Sequence, residues 1–157
     1  MFKRILTAIV GIPVAVFLVT GGGLPFSAAV LILAFAAWRE YARMTAVKGI
    51  NTYKITSFLP SMLLVIAAGA GKSEWLPAIL VFATLGILFE GLFRHCNCGE
   101  TNWALHTSNS MAALLYVGLL FAHISLMRGY TGSNVHFMGT DFAYGELSLW
   151  MVLLGTW

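Results

Sequence analysis

From Ile5 to Trp38 the chain runs thirty-four residues without an Asp, Glu, Lys or Arg. A bilayer hydrocarbon core about 30 Å thick takes roughly 20 residues of apolar helix, so one straight helix of that length would overshoot it. Gly21, Gly22, Gly23 and Pro25 fall near the middle of the run. Consecutive glycines weaken a helix, and proline suits the first turn of a new one. The pattern predicts a hairpin of two membrane-spanning helices over 5–38. Each arm is short for a span, which places the glycines in the headgroup zone or asks the bilayer to thin locally. The competing reading of Lys3 and Arg4 before an apolar run is a secretory signal peptide, with Ser27 and Ala29 offering a small-residue cleavage pattern. Cleavage there would leave a chain just as hydrophobic.

Composition agrees with a membrane chain. It is 59% hydrophobic and 10% charged, with a mean hydropathy of +0.85, whereas soluble domains carry about 25% charged residues. The net charge of +3 comes from basic residues scattered between apolar runs. They form no basic face, which argues against nucleic acid as a partner.

A second hairpin is expected over 55–89, its arms separated by Gly71 to Trp75, and a fifth span over 110–128. Gly118, Ala122 and Ser125 give that span a small-residue face for helix packing, as Thr7, Gly11 and Ala15 do for the first. Pro13 is expected to bend the first arm. Gly129 to Glu146 reads as an external loop or shallow re-entrant piece, and 147–157 as an incomplete sixth segment. The expected fold is therefore all-α and polytopic, with about five complete transmembrane helices and a truncated sixth. Placed on alternate sides, Lys3, Arg4, Arg39, Arg43, Lys48, Lys54 and Arg94 fall on one side and Lys72 and Arg128 on the other. By the positive-inside rule the N-terminus and the 39–54 loop are cytoplasmic, in a multi-pass protein of the inner membrane.

Motifs for chemistry are sparse. Gly71, Lys72 and Ser73 resemble the end of a phosphate-binding loop, but the glycine that motif needs five places earlier is Ile66. His95, Cys96, Cys98 and His106 are potential metal ligands without the spacing of paired zinc knuckles, and a cytoplasmic position favours free thiols over a Cys96–Cys98 bridge. No metal site is assigned. Glu40 and Glu90 read as solvated or salt-bridged residues at cytoplasmic helix ends. His123 and Arg128 near the end of the fifth span invite a functional reading by default, yet an Arg that snorkels and a His bonded to a carbonyl account for them.

Four stretches carry a family resemblance: Lys3-Arg4-Ile5-Leu6-Thr7-Ala8 with Pro13; Ala36-Ala37-Trp38-Arg39-Glu40-Tyr41; Leu115-Tyr116-Val117-Gly118 running to Arg128; and Gly155-Thr156-Trp157. Together they resemble the N-terminal portion of phosphatidate cytidylyltransferases, the CDP-diacylglycerol synthase family. The resemblance implies transfer of CMP from CTP to phosphatidate, with Mg²⁺ held by carboxylates. It implies phosphatidate, CTP and membrane lipids as partners, and a homodimer as a further expectation. Tyr116 and Arg128 are the substrate-facing candidates it suggests. The family's Asp and Ala-Tyr after the Thr-Trp pair, its Ser-Pro-x-Lys stretch and its His-Gly-Gly signature have no counterpart here. The expectation is thus an N-terminal part of a longer enzyme, with no catalytic residue of its own and inactive alone. A non-enzymatic transporter or scaffold segment is the alternative.

Overall fold

A computed structural model describes residues 2–132, 135–137 and 140–155. Seven α-helices dominate: α1 (Phe2–Gly21), α2 (Gly23–Val47), α3 (Lys54–Gly69), α4 (Trp75–Cys98), α5 (Trp103–Ala113), α6 (Leu120–Arg128) and α7 (Tyr144–Gly155). A π-helical stretch, Leu114–Leu119, joins α5 to α6 without a break. Strands β1 (Val135–Phe137) and β2 (Thr140–Phe142) pair antiparallel, with His136 opposite Asp141. That hairpin stands where the sequence suggested a loop or re-entrant piece.

Among the described residues three helical stretches are long and apolar enough to cross a membrane: Gly23–Val47, Trp75–Cys98 and Trp103–Arg128. The expected five complete spans and truncated sixth are supported to that extent only. The apolar α3 has 16 residues, about 24 Å of helix, which is short of the hydrocarbon core. The division of the first run falls where the glycines put it: Gly22 and Gly23 have φ of 56° and 61°, a region that glycine enters without a steric cost.

The expected helix ends are corrected outward. α2 continues past Trp38 to Val47, and α4 passes Phe89 to reach Cys98. Glu90 therefore lies inside α4 rather than at its end. Hydropathy marks where a helix leaves the hydrocarbon, whereas backbone hydrogen bonding carries it further into water. α4 stops at Gly99, which takes the left-handed conformation with φ 64°.

Packing is organised around α3, which touches α2, α4, α5, the π-helical stretch and α6. Leu64 and Ala68 face one apolar cluster, with Ile87, Leu114 and Ala122. Val65 faces a second, with Phe26, Val30, Val117 and Leu149. Small residues make these contacts close: Ala34, Ala113, Ala122, Ser57, Ser61 and Ser110 are wholly enclosed. Phe17, Leu24, Ile32, Ile55, Phe82 and Phe89 point outward. Small side chains inside and large apolar ones outside suit a lipid solvent, where helices associate through close packing rather than by hiding oil from water. A Cβ on Gly118 would lie 2.8 Å from the Ser61 Cα, so glycine is what lets α3 and the π-helical stretch meet. The expected Gly118–Ala122–Ser125 face is buried here. The Gly11–Ala15 face of α1 is different: both residues are exposed, and nothing lies within 4 Å of a Cβ built on Gly11.

Candidate functional site

One end of the bundle, where α2 and α4 finish and α3 and α5 begin, gathers most of the ionisable groups with partners. Glu90 projects from α4 and accepts from the Thr56 hydroxyl of α3 at 2.5 Å. It also accepts from Arg94 one turn on, through Nε at 3.0 Å and Nη2 at 2.8 Å. The pair is a helical i, i+4 ion bridge. Arg94 also lies over the Tyr53 ring, 5.1 Å from its centroid, so one guanidinium is held by charge, hydrogen bonds and an aromatic face.

Tyr53 sits just before α3 and is 3% exposed. Its backbone N–H donates to Ser110 Oγ at 2.8 Å, and that hydroxyl donates on to the His106 carbonyl at 2.8 Å. Burial raises the phenol above its ordinary pKa of 10.0, with Glu100 and Glu90 acting the same way and Thr107 and Arg94 opposing. Glu100 bonds to His106 Nδ1, and His106 Nε2 is buried without a hydrogen-bond partner. Thr107 closes against Gly91, where no Cβ would fit. Nearby, Tyr41 donates to Asn109 Oδ1 at 2.8 Å and Asn109 donates to Thr52 at 2.8 Å, tying α2 to α5 through the 48–53 loop. A cavity of about 420 Å³ opens here, lined by Asn51, Tyr53, Lys54, Glu90, Arg94 and Glu100. On its wall Glu90 and Arg94 are paired.

The residues suggested by resemblance stand elsewhere. Tyr116 lies in the π-helical stretch, 63% exposed, with its ring 6.4 Å from that of Tyr41. Arg128 closes α6 twelve residues later, about 18 Å along the axis, and donates to the Val19 and Thr20 carbonyls of α1 at 2.7 and 3.2 Å. The two are not brought together. His123 bonds the Leu119 carbonyl at 2.8 Å. Glu40 is exposed. Cys96 and Cys98 are exposed free thiols; two residues apart on α4, they point to different sides of it. Thr156 and Trp157 lie outside the described residues. Sequence reasoning passed over Tyr53, Thr56 and Arg94 as site residues. The Glu90–Arg94 spacing on a helix was the available signal; the Thr56 contact from another helix had none.

The Mg²⁺ that the resemblance implies does not fit this end. Among the described residues no three His, Cys, Asp or Glu side chains are grouped to hold a metal ion, and Glu90 already accepts from Thr56 and Arg94. No step through the metal is derived from these residues.

Membrane-length helices packed through small residues, with an ion-paired polar cluster at one end, define a helical membrane protein with a built polar face. A profile of the cytidylyltransferase family matches residues 2–157, and the chain belongs to that family. It is similar to a phosphatidate cytidylyltransferase of Synechocystis sp., 36% identical over 66 residues. That alignment covers 42% of this chain and 22% of the relative. No solved structure matches the chain.

Proposed function

We propose that this chain is the N-terminal membrane part of a phosphatidate cytidylyltransferase of the inner membrane, with its N-terminus and ion-paired end in the cytoplasm. The observation that carries the reading is the family match along nearly the whole chain, on a fold whose helices suit lipid. In the reaction a phosphate oxygen of phosphatidate attacks the α-phosphorus of CTP. A P–O bond forms there as the bond to the β-phosphate breaks, and pyrophosphate leaves. When bound, Mg²⁺ would neutralise the anions that must meet.

What these residues do is position and attract. Arg39, Arg43, Lys48 and Lys54 draw anionic lipid to the cytoplasmic surface. The Thr56–Glu90–Arg94–Tyr53 cluster fixes the ends of α3 and α4, so the cavity beside Lys54 keeps its shape. Tyr116, exposed on the flank of a membrane-length helix, lies along the lipid substrate. The chain alone is inactive: among the described residues no three His, Cys, Asp or Glu side chains are grouped to hold a metal ion, and phosphoryl-type transfer needs grouped charge.

The test supplies labelled CTP, phosphatidate and Mg²⁺ in detergent to purified residues 1–157 and to the product of the native gene read to its stop codon. CDP-diacylglycerol from the native product and none from 1–157 supports the reading. Comparable turnover by 1–157 contradicts the inactivity, and no product from the native protein contradicts the function.

A further inference from the structure

The opposite end of the bundle holds a cavity of about 470 Å³. α2 runs 25 residues between the two ends, about 37 Å, so this cavity stands apart from the ion-paired cluster. Its walls include Gly23 and Ser27 from the start of α2, Ser125 and Arg128 from the end of α6, and Tyr144 from the start of α7.

Its lining brings two helix starts and a cation together beside the ends of α3 and α6. Two helices begin at its wall, and the first N–H groups of a helix lack internal partners and carry partial positive charge. α2 has no side-chain cap on those groups. Arg128 brings a full cation, with Nε and Nη2 steadied on the Val19 and Thr20 carbonyls. No carboxylate is among the described residues lining the cavity; Glu146 lies in the first turn of α7 but not on the wall.

A separate observation points to a ligand. Ser125 is 5% exposed, lines the cavity, and its hydroxyl has no hydrogen-bond partner. Buried hydroxyls are nearly always satisfied, and an acceptor in the cavity would satisfy this one. Glycines allow the approach: a Cβ on Gly22 would lie 2.5 Å from Arg128 Nη2, and one on Gly145 2.5 Å from the Arg128 carbonyl oxygen.

We propose that this cavity binds a phosphate group, carried by a lipid headgroup or free in solution, through Arg128, Ser125 and the N-terminal N–H groups of α2 and α7. Tetrahedral oxyanions are what a helix start, a hydroxyl and a guanidinium hold in common. The volume exceeds that of bare phosphate and leaves room for an esterified group. The site is independent of the transfer reaction proposed above.

The test uses the whole chain in two settings. In detergent it is titrated with inorganic phosphate against chloride at constant ionic strength. In nanodiscs of a neutral galactolipid, which has no phosphate, it is compared with and without phosphatidylglycerol, which is not the proposed substrate and so keeps the result separate from that reading. Thermal unfolding and tryptophan fluorescence report binding. A saturable response is expected, weakened about tenfold by Ser125→Ala and at least as much by Arg128→Lys, which keeps the charge but loses the fork geometry. A response in the lipid setting alone assigns a headgroup, and one in solution alone assigns free phosphate. No saturable response in either setting, or an unchanged response in both variants folded as wild type by circular dichroism, overturns the proposal.

Discussion

The two ends of the bundle are built on opposite plans. At the ion-paired end, side chains meet side chains: Glu90 with Arg94 and Thr56, Glu100 with His106, Tyr41 with Asn109. Glu90 and Glu100 there are answered within the fold. At the other end the construction is backbone and glycine, with Arg128 on two main-chain carbonyls and Gly145 pressed against two more. A carboxylate paired internally is organised for shape, whereas a cation beside an unsatisfied buried hydroxyl is organised for an anion. The difference separates a positioning role from a binding role within one small helical chain.

The largest effect is expected where backbone meets backbone. A Cβ at Gly145 would lie 2.5 Å from the Arg128 carbonyl oxygen and 2.6 Å from that of Met127, with no side chain to swing aside. Gly145→Ala should destabilise the protein by about 3 kcal/mol or slightly less. Gly86→Ala, which meets nothing within 4 Å, should be neutral or stabilise the helix by up to about 1 kcal/mol. Equal unfolding temperatures for the two variants would break the contrast at its glycine end.

Ser110→Ala strands the buried Tyr53 N–H and should cost about 1–3 kcal/mol, read as a lower thermal midpoint in detergent. Glu90→Gln should cost less, about 1 kcal/mol or under, because the Arg94 side chain is 48% exposed and water screens the pair. If Glu90→Gln proves the more damaging, ion pairing outweighs the hydrogen-bonded anchor of this end.

The smallest expected effect is a pH dependence. The Tyr53 phenol is raised above 10.0 in the fold, so the folded state holds its proton more tightly than the unfolded chain. That contribution is fully present below the ordinary tyrosine pKa and is lost as pH rises through the folded value. Wild type should lose more thermal stability than Tyr53→Phe between neutral pH and pH about 11. Parallel losses would show that other groups set the alkaline limit.

Much of this was legible in residues 5–38 and 110–128. The glycine triplet does divide α1 from α2, and Gly118, Ala122 and Ser125 do face inward, because periodic small residues report helix contacts directly. The hub was not legible. Hydropathy gives most weight to the long uncharged run, yet Gly11, Val14 and Phe17 of α1 are exposed while the shorter α3 touches most of the other helices. In lipid, apolarity says only that a helix is immersed; the small and hydroxylated positions Ser57 and Ser61 say what it packs against. The Thr56–Glu90 contact joins residues 34 apart on two helices, and no local pattern encodes it. Helix ends were misjudged for a related reason: Arg39, Glu40 and Arg94 mark the edge of the hydrocarbon, and α2 and α4 run on beyond it.

The role proposed for the ion-paired end depends on which end faces the cytoplasm, and cysteine accessibility decides that most directly. With Cys96 and Cys98 replaced by Ser, Asn51→Cys reports the ion-paired end and Thr131→Cys the glycine end. An impermeant thiol reagent added to intact cells should label the cysteine at 131 and reach the one at 51 only after permeabilisation. Labelling at 51 from outside would place the ion-paired end away from the nucleotide and contradict the account.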